Sequence, residues 1–252
     1  QPVWTSYPRR NATPIASPLP RHAVQGYLEW DAHTWAKALS FWQGNAADRI
    51  RGARVLEVGA RDGGLTQWLV SRGADHVVVS DLHGPTDQAR ARHADYIDAG
   101  VVTHAALDVT NLPEQDAYDV IVAKSVLGGL GRDATGEVGP QRRATASILR
   151  SLRPGGVFLW AENMDSSPAH RWARSRWVAW GNRWHYLTQD DLLDVLSDFD
   201  RVDWSSAGLL AAFGRSESQR WLLGSVDSLV VEWCVPRRWN YVAFGVARKG
   251  ES

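Results

Sequence analysis

Three acidic residues close three successive apolar runs: Glu57 in RVLEVG, Asp81 in HVVVSDL and Asp108 in VVTHAALDV. Behind Glu57 comes a glycine-rich stretch, VGARDGG, with Gly59 two positions on and Gly63 and Gly64 opening the next segment. A carboxylate accepts two hydroxyl protons or faces an ammonium, and glycine admits close approach of a ligand to the backbone. Asp81 lies 22 residues beyond Gly59, close to the roughly 20-residue offset at which an acid meets ribose hydroxyls in nucleotide-binding sheets. A Walker A loop is excluded, because no Gly-Lys-Ser/Thr ending follows the glycines. A G-x-G-x-x-G dinucleotide turn fits poorly, since Arg61 stands at its second glycine.

The elements that must carry these residues follow from periodicity. RVLEVG, HVVVSDL, VVTHAALDV, YDVIVAKSV and VFLWAEN read as strands, separated by the helical stretches LTQWLVSRG, PTDQARARHADYIDAG and QRRATASILRSLRPGG. Short all-apolar strands in repeated βα units predict a parallel, doubly wound α/β sheet covered on both faces. RVDWSSAGLLAAF supplies a sixth strand, residues 217 to 234 a helix, and WNYVAFGVARK a last strand. Thr188, with an Asp three residues on, is a predicted N-cap for TQDDLLDVLSDF. Upstream, Leu28, Trp35, Leu39 and Trp42 recur at helical spacing and predict one amphipathic helix ending near Gln43–Gly44. Residues 1 to about 24 show no periodicity and read as an extended arm.

The ordered series resembles the class I S-adenosylmethionine-dependent methyltransferases. Their first motif, an acid followed by x-G-x-G-x-G, is matched by Glu57, Gly59 and Gly63, with Arg61 in place of the middle glycine. The resemblance implies a mostly parallel seven-stranded, Rossmann-like sheet. It implies S-adenosyl-L-methionine as cofactor and S-adenosyl-L-homocysteine as product, held by Glu57, Gly59, Ala60, Arg61, Gly63, Asp81, Leu82, Asp108, Val109 and Lys124. Asp81 is then the ribose acid and Asp108 the acid at the adenine amino group. Arg61 either turns out to solvent or reaches the cofactor carboxylate. The fourth strand ends AKSVLGG, with Lys124 and Ser125 where magnesium-dependent enzymes place an acid, so no metal is expected; Glu162-Asn163 alone is a weak metal signal.

Methyl transfer needs alignment and, for a protonated acceptor, a base. His185, between Trp184 and Tyr186, is the first candidate and His170 the second, since an unperturbed imidazole titrates near neutrality. Trp172, Trp177, Trp180 and Trp184, with Trp30 and Trp35, suit a cage for a flat acceptor, and Arg171, Arg174, Arg176 and Arg183 suit an anionic one. The expected organisation is an arm and lid helix over 1–50, a cofactor-binding core over 51–163, a Trp-rich cap over 164–187 and the rest of the sheet over 188–252. The acceptor is expected to be a small molecule methylated on oxygen or nitrogen, in specialised metabolism such as antibiotic biosynthesis. An RNA or protein methyltransferase, or a non-catalytic module keeping the fold, is the rival.

Composition bounds these readings. Among 252 residues, 28 basic and 28 acidic side chains cancel, which leaves no global charge to attract nucleic acid or an anionic membrane. No apolar run approaches spanning length and the first residues lack the pattern of a signal peptide, so a cytoplasmic protein is expected. The lone Cys234 forms no internal disulfide. Arg9, Arg10 and Arg21 place positive charge in the arm, which folds over the site or over a second copy in a homodimer.

Overall fold

The computed structural model describes residues 3–6, 21–131, 137–177, 184–231 and 234–251. Arg9, Arg10, Trp180 and Arg183, and the side chains of Arg21, Arg174 and Trp177, lie outside the described residues. Eight strands form one sheet: β1 (Val3–Ser6), β2 (Arg54–Val58), β3 (His76–Asp81), β4 (Val102–Ala106), β5 (Tyr118–Lys124), β6 (Leu152–Asn163), β7 (Arg201–Ala207) and β8 (Val242–Arg248). Their order is β1-β7-β8-β6-β5-β2-β3-β4, with β8 antiparallel to both neighbours and every other pair parallel. The direction of strand addition reverses between β2 and β5. In an open α/β sheet the crevice beyond the carboxyl ends at that reversal is where ligands bind.

The sequence predicts seven strands and the structure has an eighth. β1 lies within the arm and pairs in parallel with β7, Val3 opposite Arg201 and Ser6 opposite Trp204. Four residues give too short a run for an alternation signal, but Trp4 packs onto the core beside the sheet edge.

The helices are α1 (Arg21–Leu28), α2 (Ala32–Ile50), α3 (Gly64–Ser71), α4 (Asp87–Arg92), α5 (Ala94–Asp98), α6 (Gly139–Ser151), α7 (Pro168–Trp177), α8 (Gln189–Val195) and α9 (Glu217–Val226). They leave two cores, one on each face. On one face α1, α2 and α3 bury Trp35, Trp42 and Trp68 against the sheet; on the other, Phe158, Trp160 and Phe199 pack with α6 and α8. Thr188 caps α8 in a reciprocal capping box with Asp191, as its spacing predicts.

The single helix expected upstream of β2 is two. Glu29 and Asp31 both adopt left-handed backbone conformations, φ 67° and 46°, and Glu217 takes the first amides of α2, Asp31 N at 2.8 Å and Ala32 N at 3.3 Å. Tyr241 donates to the Asp31 carboxylate from inside the core. Long-range partners thus fix a break that the apolar spacing does not reveal. α2 also runs past Gly44 to Ile50, with a kink at Ala46. None of the described helices is long and apolar enough to cross a membrane.

Candidate active site

A cavity of about 1160 Å³ opens at the sheet reversal. Its floor is the turn after β2, its far wall the turn after β5, and its roof the α1–α2 junction with Tyr27, Glu29 and Trp30. Of the expected cofactor residues, Glu57, Gly59, Ala60, Arg61, Asp81 and Lys124 line it together. Gly63, Leu82, Asp108 and Val109 do not.

The floor is built by left-handed residues in alternation: Gly59 at φ 67°, Arg61 at 48° and Gly63 at 75°. A Cβ on Gly59 would stand 2.5 Å from Val126 Cγ2, and one on Gly64 would stand 2.6 Å from the Tyr27 carbonyl oxygen. The bare backbone therefore serves packing as well as turning: α1 rests directly on the start of α3. His93, fully buried, donates from Nε2 to the Gly63 carbonyl at 2.8 Å and shares a hydrogen bond with His104 at 2.9 Å.

Arg61 turns its side chain outward, 72% exposed, 3.7 Å from the neighbouring Asp62. Its backbone amide donates to Asp81 Oδ2 at 3.2 Å, and the Leu82 amide donates to Oδ1 at 2.8 Å. Two amides thus orient the Asp81 carboxylate at the cavity edge, with lone pairs left for further donors. Leu82 follows as a 57% exposed apolar side chain. Asp108 is exposed and caps a single 3-10 turn, accepting from the Thr110 amide and hydroxyl, each at 2.8 Å.

Two carboxyls are buried here, Glu57 in the cavity wall and Glu162 behind it. Glu57 accepts the Thr66 hydroxyl proton; burial pushes its pKa up to about 7, against that hydrogen bond and the Lys124 charge, which pull it down. Glu162 accepts the amides of Val126 and Leu127, both at 2.8 Å, and of Gly128 at 3.3 Å. Burial raises it as well to about 7, opposed by the three amides and by Lys124. Glu162 thereby shapes the turn after β5, a role that the dipeptide Glu162-Asn163 does not announce; Asn163 in turn donates to Ser125 Oγ at 3.0 Å.

Neither candidate histidine lines the cavity. His170 is 2% exposed, donates from Nε2 to the Leu209 carbonyl at 2.7 Å, and so accepts at Nδ1 from the Ser167 hydroxyl at 2.7 Å, while the nearby Ser166 hydroxyl donates to the Trp239 carbonyl. His185 is buried, its amide on the Gly128 carbonyl at 2.9 Å and its Nε2 3.6 Å from Asp191. Its neighbour Trp184 does face the cavity, seated over Gly128 and Gly129, where an added Cβ would meet the indole at 2.3 and 3.2 Å. The glycine pair after the fourth predicted strand is thus a seat for Trp184. Trp30 also lines the cavity, whereas Trp35 is buried beside it and Trp172 is exposed. Arg92 and Arg220 reach the rim, Arg92 bonded to the Gly26 carbonyl at 3.3 Å and Arg220 to Glu217 at 2.7 Å. Among the described residues no group of three metal-ligating side chains comes together.

Residues 56–158 match the family model described as a methyltransferase domain. No curated protein matches the chain. Among solved structures, the phosphoethanolamine N-methyltransferase 2 of Haemonchus contortus, in complex with phosphomonomethylethanolamine and S-adenosylhomocysteine, is similar over 86% of this chain at 17% identity and TM-score 0.57. The chain covers only 53% of that enzyme, about half its length. The 1,6-didemethyltoxoflavin-N1-methyltransferase of Burkholderia thailandensis, with 1,6-didemethyltoxoflavin and S-adenosylhomocysteine bound, is similar over 94% of this chain and 92% of its own, at 17% identity and TM-score 0.55. The [4+2]-cyclase SpnF is similar over 84% and 83%, at 18% identity and TM-score 0.50. The chain thus has the Rossmann-like fold of the class I methyltransferases, and its central residues 56–158 match the model of a methyltransferase domain. The cyclase is a reminder that the reaction is read from the site and not from the fold.

Proposed function

We propose that the protein transfers a methyl group from S-adenosylmethionine to an oxygen or nitrogen of a small molecule. The observation that carries this is the meeting, at the sheet reversal, of a backbone-built turn with an oriented Asp81 and a buried Glu57. The group fits the residues present. Asp81 offers free lone pairs to the two ribose hydroxyls, Leu82 an apolar face to the purine, and Glu57 with the Gly59 turn a polar end for the amino acid part. Asp108 and Val109 complete the adenine side, and Gly63 fixes the turn. When bound, the cofactor supplies an electrophilic methyl group; the chain aligns the acceptor with it and excludes water.

The acceptor would enter between Tyr27, Trp30 and Trp184, a wall suited to a flat apolar body, with Arg92 and Arg220 at the rim for an anionic substituent. A role in specialised metabolism, such as antibiotic biosynthesis, is supported by the small heteroaromatic substrate named for the Burkholderia enzyme. His185 and His170 would act through the packing of the cap.

Titration calorimetry with S-adenosylmethionine and S-adenosylhomocysteine tests the reading. Asp81→Ala should weaken both about 10- to 100-fold, the value of one or two hydrogen bonds to a charged acceptor. No binding to the wild type overturns it.

A further inference from the structure

We propose that Lys124 is the proton acceptor of the transfer. The inference rests on the methyl-transfer reading of the cavity and goes beyond it by naming the base. Lys124 is the last residue of β5, and because Val58 stands opposite Ala123 in the register, it lies level with Gly59 on the floor turn. It lines the cavity, and its Nζ sits 4.9 Å from the Trp35 ring centroid and 5.7 Å from that of Trp30.

No carboxylate among the described residues comes within ion-pair distance of this amine. Lys249 shows the contrast, ion-paired to Asp116 at 2.7 Å. An ammonium set against two indoles gives up part of its hydration and gains a cation–π attraction in return. Burial accordingly lowers the Lys124 pKa, and the Arg61 charge lowers it further, while Glu29, Glu57 and Glu162 act the other way. These four charges act on it from the floor turn, the helix junction, β2 and β6, and Arg220 lies over the same Trp30 ring at 6.0 Å. The carboxylates on the cavity wall have other partners or another use: Glu57 holds Thr66, Asp62 accepts from the Thr86 hydroxyl at 3.0 Å, Glu29 lies 3.7 Å from Arg92, and the lone pairs that Asp81 keeps beside its two amides are those assigned above to the ribose. Among the described residues, none of those lining the cavity is a histidine.

The step balances without a further reactant. As the acceptor's O–H or N–H bond breaks, its proton goes to the Lys124 lone pair and the acceptor's electron pair forms the new bond to the methyl carbon. The pair of the breaking carbon–sulfur bond stays on sulfur. One positive charge leaves the sulfonium and one appears on Lys124, so the cavity's net charge is unchanged across the transfer. A sulfonium held in this cavity would disfavour a charged amine before transfer, and the Glu57 and Glu162 carboxyls would favour the ammonium formed by it. The cavity thus favours a neutral base at the start and a charged one at the end.

The sequence holds three lysines, Lys37, Lys124 and Lys249, so protein grown on ε-carbon-labelled lysine gives three side-chain signals whose shifts report protonation. The Lys124 signal is assigned by its loss in Lys124→Arg and by its survival in the double variant Lys37→Arg, Lys249→Arg. In free protein it should titrate below the ordinary lysine value. With S-adenosylmethionine its midpoint should fall below that with S-adenosylhomocysteine, because only the former places a like charge beside the amine. Equal midpoints with the two ligands, both shown bound by calorimetry, overturn Lys124 as the base and leave the proposed function standing. An ordinary midpoint in free protein and in both complexes does the same. If neither ligand binds, the methyl-transfer reading falls and the base with it.

Discussion

Two turns face each other across the sheet reversal, and they are held by opposite means. The turn after β2 is written into its own residues: Gly59, Arg61 and Gly63 take left-handed conformations, and Gly63 N closes on the Ala60 carbonyl at 2.8 Å. The turn after β5 has one left-handed residue, Ser125 at φ 57°, and gives its next three amides to the carboxylate of Glu162 on the adjacent strand. They touch where Gly59 meets Val126. One turn is shaped locally by backbone freedom, the other from a distance by a buried charge. Failure of the first should therefore be steric, and failure of the second electrostatic.

The largest expected effect comes from removing the distant support. Glu162→Ala strips the partner from two fully buried amides and a third at their edge, and should cost about 3–5 kcal/mol in urea unfolding, with Glu162→Gln milder because its carbonyl still accepts. A loss below about 1 kcal/mol for Glu162→Ala would show that the second turn, like the first, holds itself.

A smaller effect separates the two carboxyls by pH. Both Glu57 and Glu162 are raised from an ordinary 4.5 to about 7. Between those values the folded protein binds protons that the unfolded chain has released, so the contribution of these two groups is greatest below about 4.5, falls as pH rises through the window and levels off above 7. Each group contributes on the order of 3 kcal/mol. Asp31, raised by burial to about 6, shares the lower part of that window, so Glu57→Gln should flatten the slope by roughly 40% while retaining an acceptor for Thr66, which urea unfolding at pH 5 and pH 7.5 would measure. An unchanged slope would mean that Glu57 is charged throughout.

The same contrast explains what could be read from the chain. Strands, their parallel arrangement and the first turn were legible because each depends on neighbours in sequence: apolar runs for β2 to β6, glycines for the floor, Thr188 with Asp191 for a helix start. Asp81 was legible through its offset from Gly59. The helix break at Glu29–Asp31 depends on Glu217 and Tyr241, nearly two hundred residues away, and β1 is too short to carry a period. Glu162 stood in plain view at a strand end, yet nothing in Glu-Asn says that its oxygens will face the amides after β5. The histidines drew notice by residue type alone, and type does not tell a ring facing a cavity from one packed between serines and a carbonyl.

The smallest effect concerns Arg61, which occupies a glycine position of the first turn. At φ 48° a side chain costs about 1 kcal/mol over glycine, and the exposed pair with Asp62 returns little of it. What the turn gives Asp81 is the Arg61 amide, and any residue supplies that. Arg61→Gly should therefore raise stability by roughly 0.5 kcal/mol, the remainder offset by glycine's freedom in the unfolded chain, and leave S-adenosylhomocysteine affinity within about threefold. A loss of tenfold or more in calorimetry would show that the guanidinium swings back over the cavity to meet a carboxylate when the ligand arrives, and the first turn would then owe part of its function to a side chain after all.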